Sequence, residues 1–418
     1  MRKVRLIALF LLLACSGSLF AQKAVKLVIA GRDGDYGNGM QAACDAYTAL
    51  HPEVSFEILK LSGDDIYQKT VIDLRTGTGS YDVILIDDPK ALQFQTAGWL
   101  ADLDALYKKN GQKVDSDFFP NLVNLCRLPA EPKGKLYSLP FIGNVSLFAY
   151  RTDLFKKYGL KEPKTWDDVL AAAKKIQAGE GEGVNGVVFR GVKGNPIVTA
   201  FLPMFWSFGG EIFDAKEKPI INSPEGIKAL KYFLELAKYA PKGTPMNNTA
   251  QVRDTLLAGG AAITPEVWPA WLGSLDDPAK SKVVGNVKVM AHPSEVKASA
   301  PMLGIWHVAL PAAGRNQDAA FKFLQFLTSA ETQKLMAMKA GLPPSRASVY
   351  GDAELLKLRP FYPAVKAALI AGKARPRTMV WSEIENILGG SLQEALIGDK
   401  TPEQALNEAN AAIVQTLK

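Results

Sequence analysis

The chain has 418 residues, 48% of them hydrophobic and 22% charged, which excludes a disordered or fibrous chain and fits about two globular domains. Lys plus Arg total 49 against 42 Asp plus Glu, and three of the excess positives (Arg2, Lys3, Arg5) stand in the first five residues, so the net charge of +7 does not describe a nucleic-acid binder. Three Cys and three His exclude a disulfide framework and a structural zinc site.

Residues 1–21 combine a basic start, the apolar run 6–14 and small residues, the pattern of a secretory signal peptide. Cleavage after Ala21 would release a protein to the periplasm. A second reading takes Leu12-Leu13-Ala14-Cys15 as a lipobox and anchors the chain by lipid at Cys15; the short apolar region left beside Arg5 favours Ala21. Cys44 and Cys126 remain, as a bridge or as two small buried residues.

In chain order, 25–30 reads as an apolar strand running into a glycine-rich polar loop at 31–39, and 40–51 as a helix. Residues 54–59 predict a second strand, 66–76 a helix, and 81–86 a wholly apolar third strand, the kind covered on both faces in a parallel sheet. Thr165 with Asp168 predicts a capped helix over 165–177, and 187–189 a strand. Helices are predicted at 223–236, with Pro224 in the first turn, at 319–327 and 331–338, and at 401–417 behind Thr401 and Pro402. The alternation predicts an α/β protein with open parallel sheets, and the lack of a linker predicts two domains joined by several chain crossings.

Catalytic signatures are missing: His51, His292 and His307 form no ligand pair, and no nucleophile elbow occurs. The 31–39 segment lacks the Lys-Ser/Thr ending of a phosphate loop and carries Asp33 and Asp35. A sugar-binding cleft suits the residues better. Seven Trp are present, several in loop contexts: Trp206, Trp268, Trp271, Trp306 and Trp381. Trp99 and Trp166 read as core. Polar partners follow strand ends, where open α/β sheets bind ligands: Arg32, Asp33 and Asp35 after the first strand, Asp87 and Asp88 after the third.

These segments resemble the bacterial extracellular solute-binding proteins, the family of the maltose/maltodextrin receptors of ABC importers. The likeness rests on Gly77–Val83, on Ala97-Gly98-Trp99-Leu100, on Ala149-Tyr150-Arg151-Thr152-Asp153-Leu154-Phe155, on Pro163-Lys164-Thr165-Trp166, on Gly209-Gly210-Glu211, on Gly304-Ile305-Trp306 and on Gly341-Leu342-Pro343-Pro344-Ser345-Arg346, in order along the chain. The resemblance implies the two-lobe periplasmic-binding-protein fold (type II) with a discontinuous hinge. It places the first lobe at 22–144 with 307–345 and the second at 145–306 with 346–418. It implies ligand contacts at Asn144 in the first crossing, at Phe205 or Trp206, at Trp268 and Trp271, at Trp306, at Arg346 and, about one helical turn out of step, at Trp381. The implied protein is no enzyme and needs no cofactor or metal. It is a monomeric receptor for a sugar or sugar alcohol that meets permease subunits. Glycerol phosphate, an oligopeptide or a secreted glycoside hydrolase are the alternatives.

Overall fold

A computed structural model describes residues 24–298 and 300–418; residues 1–21, on which the expected signal peptide and Cys15 fall, lie outside the described residues. Eleven strands are described: β1 Val25–Arg32, β2 Val54–Leu61, β3 Val83–Asp87, β4 Arg127–Leu128, β5 Lys135–Leu136, β6 Ser138–Ile142, β7 Leu147–Arg151, β8 Asn185–Val187, β9 Ala261–Val267, β10 Val287–Met290 and β11 Trp306–Ala309. They build one five-stranded sheet, β2-β1-β3-β11-β6, and one four-stranded sheet, β10-β7-β9-β8, with β4 and β5 as a separate pair.

The apolar runs decide the interior. Val83, Ile84, Leu85 and Ile86 of β3 are all buried, as a strand covered on both faces requires. The first core collects them with Leu27, Ile29, Phe141, Val308 and Phe321. The second core gathers Phe148, Trp166, Phe201, Phe233 and Trp381 around the other sheet. A third cluster, with Val145, Leu147, Val267, Trp271 and Ile305, lies under the crossings.

The sheets are mixed where parallel ones were expected. β1 runs parallel to β2 and β3, but β11 is antiparallel to both β3 and β6. The reason is the crossing itself: β6 leaves the first sheet towards the hinge and β11 returns from it, so the two must oppose. β7 enters the second sheet from the hinge and is likewise antiparallel to β9. The crossings are stitched together: Ser146 N–H donates to Met302 O at 2.9 Å, Gly304 N–H to Asn144 O at 3.0 Å and Gly143 N–H to Pro343 O at 2.9 Å. A side chain at Gly143 would meet Pro344 O at 2.3 Å, so the hinge strands approach closer than any other residue allows.

Most helices start where their caps predict. Thr165 Oγ accepts from Asp168 N at 3.1 Å and the Asp168 carboxylate accepts from Thr165 N at 3.0 Å, a reciprocal cap. Thr401 and Gln404 repeat it at the last helix, Pro402–Thr416. The 31–39 segment differs from expectation, because the helix Gly34–Leu50 begins inside it. Two of its glycines serve packing: a Cβ on Gly37 would meet Arg32 O at 2.6 Å and one on Gly39 would meet Leu342 at 2.4 Å. The strand expected at 187–189 ends at Val187, although Val188 N–H still donates to Ile263 O at 2.9 Å. Cys44 and Cys126 are both free and buried, which removes the bridge between them.

Candidate functional site

The carboxyl ends of the strands of both sheets face one another across the hinge and enclose a cleft of about 660 Å³. The first wall is built from the ends of β1 and β3 and the start of β11. The Arg32 guanidinium lies over the rings of Trp306 at 4.7 Å and Tyr36 at 5.2 Å, and those rings meet edge to face at 5.7 Å. Burial raises the Tyr36 phenol, with Arg32 opposing. Burial also raises the Asp35 carboxyl, and Arg253 and Lys280 pull against it. Arg253 belongs to the second wall, so Asp35 faces a cation across the cleft.

The second wall rises from β9. Trp268 follows it directly and its φ of −116° and ψ of 135° are extended, as a residue before Pro269 prefers. Arg190, Thr199 and Thr249 stand beside it, and the start of the helix Trp381–Ile397 adds Trp381, Ser382 and Glu385. Hinge residues Asn144, Met302 and Gly304 form the floor.

Arg375 ties the walls together. It donates to Asp87 at the end of β3 at 3.4 Å and pairs with Glu385 of the second wall at 3.5 Å. Its Nε is buried without a partner, as are Asn144 Oδ1 and the indole nitrogens of Trp271 and Trp381. All four residues line the cleft. Buried polar atoms left unpaired cost on the order of 1–3 kcal/mol each, so these are the places where a polar solute gains most. Glu385 is raised by burial, against the pull of Arg375.

The cleft thus brings together Arg32, Asp33, Asp35, Asp87, Asn144, Trp268, Trp271, Trp306 and Trp381 of the residues predicted from sequence. Four others are not on it. Asp88 begins the helix Asp88–Thr96 and turns its carboxylate away from Asp87, to His307 Nε2 at 3.3 Å. Phe205 and Trp206 stand in the helix Asn195–Ser207 before the Gly-Gly turn and are buried in the second core; Phe205 packs on Phe201 at 5.3 Å. Arg346 is consumed away from the cleft: it stacks on Phe118 at 3.7 Å, donates to Thr328 O at 2.6 Å and pairs with Asp115 at 2.6 Å. Tyr36, Arg190, Thr199, Thr249, Arg375 and Glu385 were missed. Only the basic Arg375-Pro376-Arg377 stretch before a helix carried any local signal of them.

An adjoining hollow of about 860 Å³ shares Asp35, Arg253, Ala270 and Trp271 with the cleft. Its lining carries many charges, with Asp254, Asp276, Asp277, Lys280, Lys339 and Arg359 beside Leu257, Leu358 and small residues, and Trp271 is its one aromatic side chain. The aromatic rings and the hinge converge on the smaller space, which is therefore the candidate site.

A family described as bacterial extracellular solute-binding protein matches residues 31–334. A probable amino-acid ABC transporter periplasmic-binding protein of Sinorhizobium fredii is 29% identical over 86% of this chain and 82% of its own length. The mannitol-binding protein of Pseudomonas aeruginosa is 27% identical over 96% and 95%. Among solved structures, maltose-bound MalE3 of T. maritima superposes with a TM-score of 0.84 at 27% identity, over 94% of this chain and 100% of that one.

Proposed function

The chain belongs to the bacterial extracellular solute-binding protein family, and from that premise we propose that it is the exported receptor of an ABC importer, taking a sugar or sugar alcohol between its lobes and handing it to the permease. The observation that carries this reading is the lining of the cleft: an indole platform at Trp268, polar atoms without partners, and cations balanced by acids. Arg32, Lys90, Arg190, Arg253 and Arg375 stand against Asp33, Asp35, Asp87 and Glu385, and Glu266 behind the wall pairs with Arg190. Such a site has no net preference for an anion or a cation. It matches a neutral solute that offers C–H faces to the indole and hydroxyls to both signs of charge. The mannitol receptor and the maltose-bound structure among the relatives support the same class.

The lobes are proposed at 22–144 with 307–345 and at 145–306 with 346–418; β6 and β7 lie in different sheets on either side of the first boundary, as do β10 and β11 around the second. Solute touching both walls stabilises only the closed arrangement and shifts the population towards it. The signal peptide is cut after Ala21 and the protein works in the periplasm as a monomer.

Calorimetry with D-mannitol, ribitol, maltose and D-tagatose tests the reading, with L-glutamate and glycerol 3-phosphate as controls. At least one polyol or sugar is expected to bind and to shrink the radius of gyration in X-ray scattering. Binding of a control alone would overturn it.

A further inference from the structure

Glu266 lies at the end of β9, its side chain without any exposure, one residue pair away from the cleft. A carboxylate there costs several kcal/mol unless both oxygens are satisfied. They are: Oε2 accepts from Arg190 Nε at 2.9 Å, and Oε1 receives Trp268 Nε1 at 3.0 Å, the Thr199 hydroxyl at 2.9 Å and the second arm of Arg190. Arg190, Thr199 and Trp268 all line the cleft, while Glu266 itself does not.

The indole is held at its other edge too. A Cβ on Gly304 of the hinge strand would come within 2.7 Å of Trp268 Cζ3 and 2.9 Å of Cη2. Trp268 is therefore fixed at its nitrogen by Glu266 and at its benzene edge by the hinge. The Arg190 guanidinium lies 5.9 Å from the same ring and reaches Thr249 Oγ at 3.4 Å. One buried acceptor sets the plane of the aromatic platform, the direction of the nearest cation and the rotamer of a neighbouring hydroxyl.

We infer that Glu266 is the positioning residue of the solute platform: it touches no solute, and presets Trp268, Arg190 and Thr199 before solute arrives. The inference rests on the solute-binding reading for its affinity readout alone; its spectroscopic readout needs no solute.

Two measurements test it. In protein labelled with ¹⁵N-tryptophan, the Trp268 indole proton, assigned by its loss in Trp268→Phe, should exchange slowly with solvent in the wild type. Fast exchange would overturn the inference, whether or not any solute binds and whether or not a Glu266 variant folds. The second measurement is a double-mutant cycle with D-mannitol, ribitol, maltose and D-tagatose as probes. Glu266→Gln puts an amide donor among four donors and is expected to weaken the best-bound probe about tenfold or more. In the Trp268→Phe background the same change should cost measurably less, because the bond to the indole is already gone and only those to Arg190 and Thr199 are left to disturb. Equal losses in both backgrounds would overturn the inference. Failure of all four probes on a wild type with a protected indole would count against the sugar reading and leave the positioning role standing.

Discussion

Gly304 of the hinge strand packs against Trp268: an added Cβ at position 304 would stand 2.7 Å from the indole ring. The ring cannot swing aside, because its nitrogen is tied to Glu266 at 3.0 Å. Gly304→Ala should therefore tilt the platform or push the crossing strand. Overpacking of this kind typically costs about 1–3 kcal/mol. Affinity for the best-bound polyol or sugar is expected to fall about tenfold by calorimetry, with the fold kept by circular dichroism. Wild-type affinity in this variant would show that the platform is not held from the hinge side.

Trp268 itself is only partly buried, against both the second core and the cluster under the hinge. Trp268→Ala removes a stacking face from a desolvated site, commonly about 2 kcal/mol or more and a factor of about thirty in affinity. Its melting temperature should move little by comparison with that of Trp166→Ala, because Trp166 is fully buried. Unchanged affinity with a lower melting point would assign Trp268 to the core.

Arg375 joins Asp87 of one wall to Glu385 of the other and keeps a buried Nε free. Arg375→Met leaves two acids facing each other without a cation. Breaking a buried pair from one side costs on the order of 3–5 kcal/mol, so both stability and affinity should drop. Arg375→Lys should not restore affinity, since one ammonium cannot reproduce three directed N–H groups. Thermal melts and calorimetry on both variants check this, and full rescue by Lys would reduce Arg375 to a point charge.

The features legible in the sequence are those with a local signature. The apolar run of β3, the reciprocal caps at Thr165 and Thr401, and the strand-end residues Arg32, Asp33 and Asp87 were placed by periodicity and position. Asp88 shows the limit of that reasoning. It follows Asp87 directly, yet the chain turns into a helix there and its carboxylate enters the core beside His307. Trp206 looked like a loop residue because Gly209 and Gly210 follow, but the helix runs on to Ser207 and takes both aromatics inside. Arg190 carries no motif, and Arg375 only a short basic stretch. Each becomes a site residue through partners far along the chain: Glu266 lies 76 residues from Arg190, and Asp87 lies 288 from Arg375.

Two buried histidines should give stability opposite pH limits. His307 is enclosed by Asp88 at 3.3 Å, Ser138 at 2.9 Å and Cys126 at 3.2 Å. Burial works against its charged form, but Cys126 and Asp88 outweigh it and raise the imidazole from 6.5 to about 9. A raised folded value stabilises fully below the unfolded one, near 6.5, and the contribution fades as pH rises through 9. Its size is on the order of 3 kcal/mol, since one unit corresponds to about 1.4. His292 is the reverse: burial lowers it to about 4, and only the Pro265 carbonyl at 2.8 Å opposes that. It folds neutral, so its contribution is complete above 6.5 and is lost as pH falls towards 4. Melting temperature measured from pH 4 to 10 should therefore decline on both sides of neutrality. In His307→Gln the decline between pH 7 and 9.5 should flatten, and in His292→Gln the decline between pH 6.5 and 4 should shrink while the alkaline side stays as in the wild type. An alkaline limb unchanged by His307→Gln would mean that His307 is neutral in the fold and that Asp88 is held by its backbone position alone.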